Sequence, residues 1–146
     1  MKKDFDTWNT KKKAIHHDGV APFYHEREIW WCSLGVNVGF EQDGTGKQFD
    51  RPVVIIRGFN KNTFFGVALT GKKKEGKYYC YLNTVQGRDA TAVLSQVRLI
   101  DTKRLVRKIK TLDEQLFLEL KKRLQNALLG ENNLPPLARG RGRSHM

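Results

Sequence analysis

At 146 residues and 39% hydrophobic side chains, the chain has the size of one domain with short tails and can bury a modest core. Lys and Arg total 27 against 15 Asp and Glu, a net charge of +12, which points to polyanionic partners and to nucleic acid first. The longest aliphatic run, Val53-Val54-Ile55-Ile56, is far too short to span a bilayer, and the charged residues Lys2, Lys3, Asp4, Asp6 and Lys11 to Lys13 leave no apolar stretch for a secretory leader.

Residues 1–27 are polar and basic and read either as a short helix over 5–16 or as a flexible arm. Composition changes at Glu28. Residues 28–34, rich in β-branched and aromatic side chains, predict a first strand. Residues 35–50, broken by Gly39, Gly44 and Gly46, predict a loop. Residues 51–57 are apolar on both faces, as a central strand should be, with Pro52 tolerated only near its start. Strands are also expected over 63–70 and 77–83, separated by a loop carrying Lys72, Lys73 and Lys74, and one or two more over 90–100. Helical periodicity comes late. Thr111-Leu112-Asp113-Glu114 has the capping-box pattern, with Thr111 as N-cap. Leu116, Leu120, Leu124 and Leu128 then recur every four residues beside Phe117, and Gly130 fits the C-terminal cap. Residues 131–146, with Pro135-Pro136 and an Arg-Gly run, predict a disordered tail. The order describes a mainly β fold: a small, partly open antiparallel barrel of about five to seven strands, covered by a C-terminal helix. The expected division is a basic arm over 1–27, a barrel domain over 28–130 and the tail.

None of His16, His17, His25 and His145 has zinc-site spacing, and no metal or other cofactor is expected. Gly44-Thr45-Gly46-Lys47 matches only the end of a phosphate loop, without its first glycine or a following helix. Cys32 and Cys80 read as two buried thiols in a reducing cytoplasm rather than a disulfide, although their strands leave a close approach open.

Five blocks in order carry a resemblance. They are Glu28-Ile29-Trp30, Gly39-Phe40-Glu41-Gln42, Arg51-Pro52-Val53-Val54-Ile55-Ile56, Val67-Ala68-Leu69-Thr70, and the run from Ser95-Gln96-Val97-Arg98 to Arg104-Leu105, followed by Leu112-Asp113-Glu114 at the closing helix. Together they resemble the MazF/PemK family of toxin endoribonucleases over residues 28–129. Three departures stand out: Arg27 replaces the family's usual glycine, Ser95 its frequent acid, and the segment 42–51 is longer than usual.

The resemblance implies an SH3-like barrel, a homodimer, and cleavage of single-stranded RNA by attack of the substrate's own 2′-hydroxyl without a metal. It implies an acidic antitoxin as partner. Arg51 carries over as the main catalytic residue, stabilising charge on phosphate first and donating a proton second. Thr70 carries over as a hydroxyl donor to the same phosphate. Glu41 is a general base or an orienter of Arg51, and equally a solvated loop carboxylate. Gln96 reads a base edge or holds main chain. Gln42, Arg98, Lys72 and Lys73 are candidate RNA contacts, and Phe40 and Phe49 candidate stacking surfaces for unpaired bases. The basic stretch from Arg98 to Lys110 lines an RNA path or forms a solvated face. Two other uses stay open: a non-catalytic RNA-binding barrel, and a gyrase poison on the same fold.

Overall fold

Residue 53 to residue 56 of the chain point alternately to two different apolar clusters, and the sheet is built around that strand. The computed structural model describes residues 2–130. Its elements are α1 (Phe5–Asp18), β1 (Glu28–Ser33), β2 (Asp50–Gly58), β3 (Thr63–Thr70), β4 (Tyr79–Val85), β5 (Arg88–Asp101), a 3-10 turn (Thr102–Arg104), β6 (Leu105–Thr111) and α2 (Glu114–Leu129). The strands form one antiparallel sheet in the order β4-β5-β3-β2-β1-β6. Register shifts interrupt the β1–β6, β2–β3, β3–β5 and β4–β5 ladders, and such bulges bend strands and increase their twist. The result is a curled half-barrel with a C-terminal helix, as expected. The expected disordered tail lies outside the described residues.

On one face Val54, Ile56, Val67, Leu69, Leu82 and Leu94 meet Phe117, Leu120 and Leu124 of α2. On the other, Val53 and Ile55 join Trp30, Cys32, Phe64 and Ile100. Both faces of β2 are therefore dry, which is why its run of 53–56 shows no polar alternation. Cys32 and Cys80 are free and buried in different clusters. Among the described residues, no helix is long and apolar enough to cross a membrane.

The 90–100 region, expected to hold one or two strands, is a single strand that extends past both ends. Three local expectations change. Residues 105–111 form a strand where only a basic stretch was anticipated. It is an edge strand in which Leu105 joins one core cluster and Ile109 packs against the other, and its exposed Arg107, Lys108 and Lys110 are the charges that keep an edge from pairing with strangers. Thr111 thus belongs to β6, and the N-cap of α2 is Asp113, whose carboxylate accepts from Leu116 N at 3.1 Å. Leu128 is 43% exposed: four-residue steps drift around a helix of 3.6 residues per turn, so the fourth leucine leaves the buried stripe.

The first 27 residues include the helix α1, and its Trp8 is buried. Arg27, in the place of the family's glycine, has φ +78°, a conformation that suits glycine. Its strain is offset by bonds on both sides: its N–H donates to Ile55 O, its carbonyl accepts from Leu112 N, and its Nε donates to Leu112 O at 3.1 Å.

The two cap assignments separate experimentally. Asp113→Ala should cost about 1 kcal/mol of stability in urea unfolding, and Thr111→Ala less than about 0.5 kcal/mol. The opposite ranking would return the cap to Thr111.

Candidate nucleic-acid interface

Antiparallel pairing of Val53 with Ala68 brings the start of β2 level with the end of β3, so Arg51 and Thr70 stand side by side at one end of the half-barrel. Both line a cleft of about 430 Å³, together with Trp31, Lys72, Gln86 and Arg88. Arg51 is half-buried and held from three sides. Its Nε donates to Asp43 O at 2.6 Å and its Nη1 to Leu69 O at 3.1 Å. With its oxygen turned to the guanidinium, the Gln42 amide accepts from Nε and Nη2, both at 3.1 Å. Burial lowers the Arg51 pKa, and the Asp43 carboxylate opposes that shift. A guanidinium has five N–H donors, so donors remain for an anion in the cleft.

The loop that supplies Gln42 and Asp43 is fastened to β5 by Gln96, whose Oε1 accepts from Gln42 N at 2.9 Å and whose Nε2 donates to Phe40 O at 3.1 Å. Of the two roles foreseen for Gln96, main-chain bonding is the one its side chain has here. Glu41 is exposed and turns onto its own loop, accepting from Val38 N at 3.0 Å. The groups that orient Arg51 are the neighbouring Gln42 and Asp43 instead.

The remaining candidates divide. Lys72 lines the cleft, whereas Lys73 lies over the Tyr81 ring at 4.9 Å. Phe40 is 97% exposed and free to stack. Phe49 is not: it is buried at φ +60°, with its ring 5.7 Å from that of Trp8, so it serves as core beneath α1 rather than as a stacking platform. A loop aromatic carries no sequence mark of the helix that will cover it. Arg98 is half-buried on β5, opposite Gly66, and outside the cleft. Its charge acts on Cys32 and Arg104.

Trp31, Gln86, Arg88 and Asp43 were missed as site residues. A strand tryptophan is by default a core residue. Trp31 is half-buried instead, with the Arg107 guanidinium over its ring at 5.7 Å, and among the described residues its Nε1 has no hydrogen-bond partner. The one usable signal was the doubled tryptophan: neighbours on a strand face opposite sides, and only Trp30, bonded through Nε1 to Glu28 at 2.9 Å, could be inside the second core. Glu28 is itself buried. Desolvation pushes its carboxyl up, but bonds from Trp30, His25 N and Lys108 outweigh it and leave the pKa lowered. Among the described residues no group of three or more His, Cys, Asp or Glu is placed to hold a metal.

A curled antiparallel half-barrel, with a cleft at one sheet end lined by Arg51, Lys72 and Arg88 beside Asp89, defines the class of this small domain. Residues 25–128 match the family model of the PemK-like, MazF-like toxins of type II toxin–antitoxin systems, and the chain belongs to that family. No curated protein matches it by sequence. Solved structures share the fold at low identity. The MazF of Deinococcus radiodurans (Form-I) superposes with TM-score 0.60 and 16% identity, covering 75% of this chain and 99% of that one. Mycobacterium tuberculosis toxin MazF-mt6 gives 0.56 and 14%, covering 72% and 99%. A mycobacterial endoribonuclease in complex with its cognate antitoxin gives 0.57 and 10%, covering 77% and 100%.

Behind the site, burial pushes the Cys32 thiol up to about 12, against weaker downward pulls from Arg104 and Arg98. An unfolded thiol titrates near about 8.5, so between these values the folded chain holds a proton that the unfolded chain has lost. Stability from this source is complete below about pH 8.5 and declines as pH rises toward 12. Cys32→Ala should therefore flatten the fall of the urea midpoint across that window, even though the smaller side chain lowers the whole curve. Parallel curves for the two chains would contradict the assignment.

Proposed function

We propose that the protein is a metal-independent endoribonuclease of the cytoplasm that cuts single-stranded RNA, acts as a homodimer and is silenced by an acidic antitoxin. The observation that carries the reading is Arg51, a half-buried cation pre-set by Gln42, Asp43 and Leu69 at the mouth of a cleft beside the Thr70 hydroxyl. The substrate's 2′-oxygen forms a bond to phosphorus, the bond from phosphorus to the 5′-oxygen breaks, and a 2′,3′-cyclic phosphate and a 5′-hydroxyl result. One proton leaves the 2′-hydroxyl and one reaches the departing 5′-oxygen. Because the nucleophile belongs to the RNA, DNA should be inert and no metal is needed to generate an attacking group.

Charge builds on the phosphorane, and a donor already fixed in place stabilises it without reorganising at the moment of reaction. Arg51 supplies that charge and Thr70 a neutral donor. Glu41 remains the proton acceptor on sequence grounds, and its carboxylate must leave the Val38 N–H to serve. Lys72 and Arg88 at the rim attract the flanking phosphates, and Phe40 and Trp31 offer faces to unpaired bases. Gln42, Gln96 and Phe49 act from behind, through the loop; Arg98 and Lys73 extend the basic field beyond the cleft.

Incubation with a mixed-sequence RNA in EDTA should yield fragments. Arg51→Ala and Thr70→Ala should each slow cutting by about 10²-fold or more, with circular dichroism unchanged. A 2′-deoxy substitution at the cut position should abolish it. Activity lost in chelator and restored by magnesium, or variants as fast as the parent, would refute the mechanism.

The net charge of +12 calls for an inhibitor that is acidic and flexible enough to order across the basic surface. A type II toxin family, and a solved neighbour bound to its cognate antitoxin, support such a partner. Light scattering should give twice the 16.9 kDa chain mass. The antitoxin should compete with uncleavable RNA, associating more slowly as salt rises. A monomer, or a ternary complex binding RNA at full affinity, would contradict this assembly.

A further inference from the structure

Helix α1 lies before the stretch shared with the family, residues 25–128, yet it and the residue Lys3 just ahead of it grip the segment 35–49 at three places. Lys3 reaches its middle. Its Nζ is 3.0 Å from Asp43 Oδ2 and donates to Asn37 O at 2.6 Å and Gly39 O at 2.8 Å, with the side chain only 10% exposed. Trp8 clamps its two ends. It packs on Phe49, and it lies so close over Gly35 that a Cβ there would sit 2.0 Å from Trp8 Cε2. Lys11 closes the far side, donating to Gln48 O and lying 3.3 Å from Asp50 Oδ1.

Asp43 joins this grip to the site. Its Oδ2 takes Lys3, its Oδ1 takes Asn37 N at 2.7 Å, and its carbonyl takes Arg51 Nε. Within the segment the order rests on the isolated Thr45–Asp50 bridge, turns, and a few bonds such as Asn37 Nδ2 to Gln42 O and Gly44 N to Gly35 O, and contacts from outside add to these. Gln96, Lys3 and the α1 residues Trp8 and Lys11 supply such contacts, beside those from Leu34 and Arg51.

We propose that Lys3 is a positioning residue for the RNA-cleaving reaction: through Asp43 it fixes the 35–49 segment and with it the orientation of the Arg51 guanidinium. This proposal rests on the reading of Arg51 as the catalytic cation. Lys3 does not line the cleft, so its effect falls on the geometry of the reacting centre rather than on the capture of RNA. The clasp thus ties the 35–49 segment to a helix that lies ahead of the residues matched to the family.

The test uses the full chain and two readouts. Lys3→Met removes the cation while keeping an apolar stem. Lys13→Met, on the exposed side of α1, removes the same charge without touching the segment. Amide hydrogen exchange at Asn37, Gln42 and Gly44 should quicken by about 10-fold or more in Lys3→Met and stay at the parent rate in Lys13→Met. In RNA cleavage, Lys3→Met should lower kcat by about 10-fold or more with KM within about twofold, since misplacing a catalytic group acts on the chemical step. Lys3→Arg should restore both readouts toward the parent. Unchanged exchange in Lys3→Met, or a loss confined to KM and shared equally by Lys13→Met, would overturn the proposal, the latter by showing that Lys3 acts only as attractive charge. Should Arg51→Ala cut like the parent, the catalytic reading falls, and the exchange data still decide whether Lys3 orders the segment.

Discussion

A guanidinium drawn out of water must find its hydrogen bonds within the protein, and the segment between β1 and β2 is folded around that demand at Arg51. Its first partners are main-chain carbonyls, Asp43 on the loop and Leu69 on β3, with the Gln42 amide turned to the same group. Carbonyls fix the cation without neutralising it, so its positive charge stays available at the cleft. Asp43 lies close enough for its field to be felt, but its carboxylate is committed to Lys3 and to Asn37 N rather than to the arginine. A full carboxylate pair with Arg51 would hold it as firmly and spend the charge that a phosphate requires.

The same economy runs through the acidic side chains nearby. Asp43 pairs with Lys3, Asp50 with Lys11 and Glu28 with Lys108. Each takes a fixed structural partner, and among the described residues Lys72 and Arg88 at the cleft make no ion pair. Asp89 also lines the cleft, its carboxylate accepting from the Tyr81 hydroxyl at 2.7 Å, and it faces three cations there, Arg51, Lys72 and Arg88. Surface pairs of this kind add little stability singly. Their importance here is directional, since they tie α1 and β6 to the elements that carry the site.

Of the four non-glycine residues with left-handed backbone among those described, Arg27 and Phe49 are held by tertiary contacts beside the site. Arg27, at φ +78°, links β2 to the approach of α2 through Ile55 and Leu112. Phe49, at φ +60°, presents its carbonyl to both Leu34 N and Gly35 N while its ring lies under Trp8. Such conformations persist only where the surroundings over-determine them. They lie at the entry into β1 and the exit from the long loop.

Much of the fold is written locally. The strands over 28–34, 51–57 and 63–70 follow from β-branched and aromatic runs, and α2 from its apolar stripe, because those signals depend only on which side chains a dry face accepts. Arg51 and Thr70 were legible only through the resemblance to the family, and the β2–β3 register brings the strand ends that carry them level. What the sequence could not decide depended on partners distant along the chain. Residues 105–111 became a strand because β1 offered a free edge, Phe49 became core because Trp8 covers it, and Asp113 rather than Thr111 capped α2 because β6 runs on through Thr111. Gln42 and Asp43 came to hold Arg51, with Glu41 turned aside, through the path of a loop fastened by Lys3, Trp8 and Gln96. Periodicity and propensity report a residue's own preference for a face. They carry no information about which neighbour arrives there, and it is the neighbour that satisfies a buried donor or a strained turn.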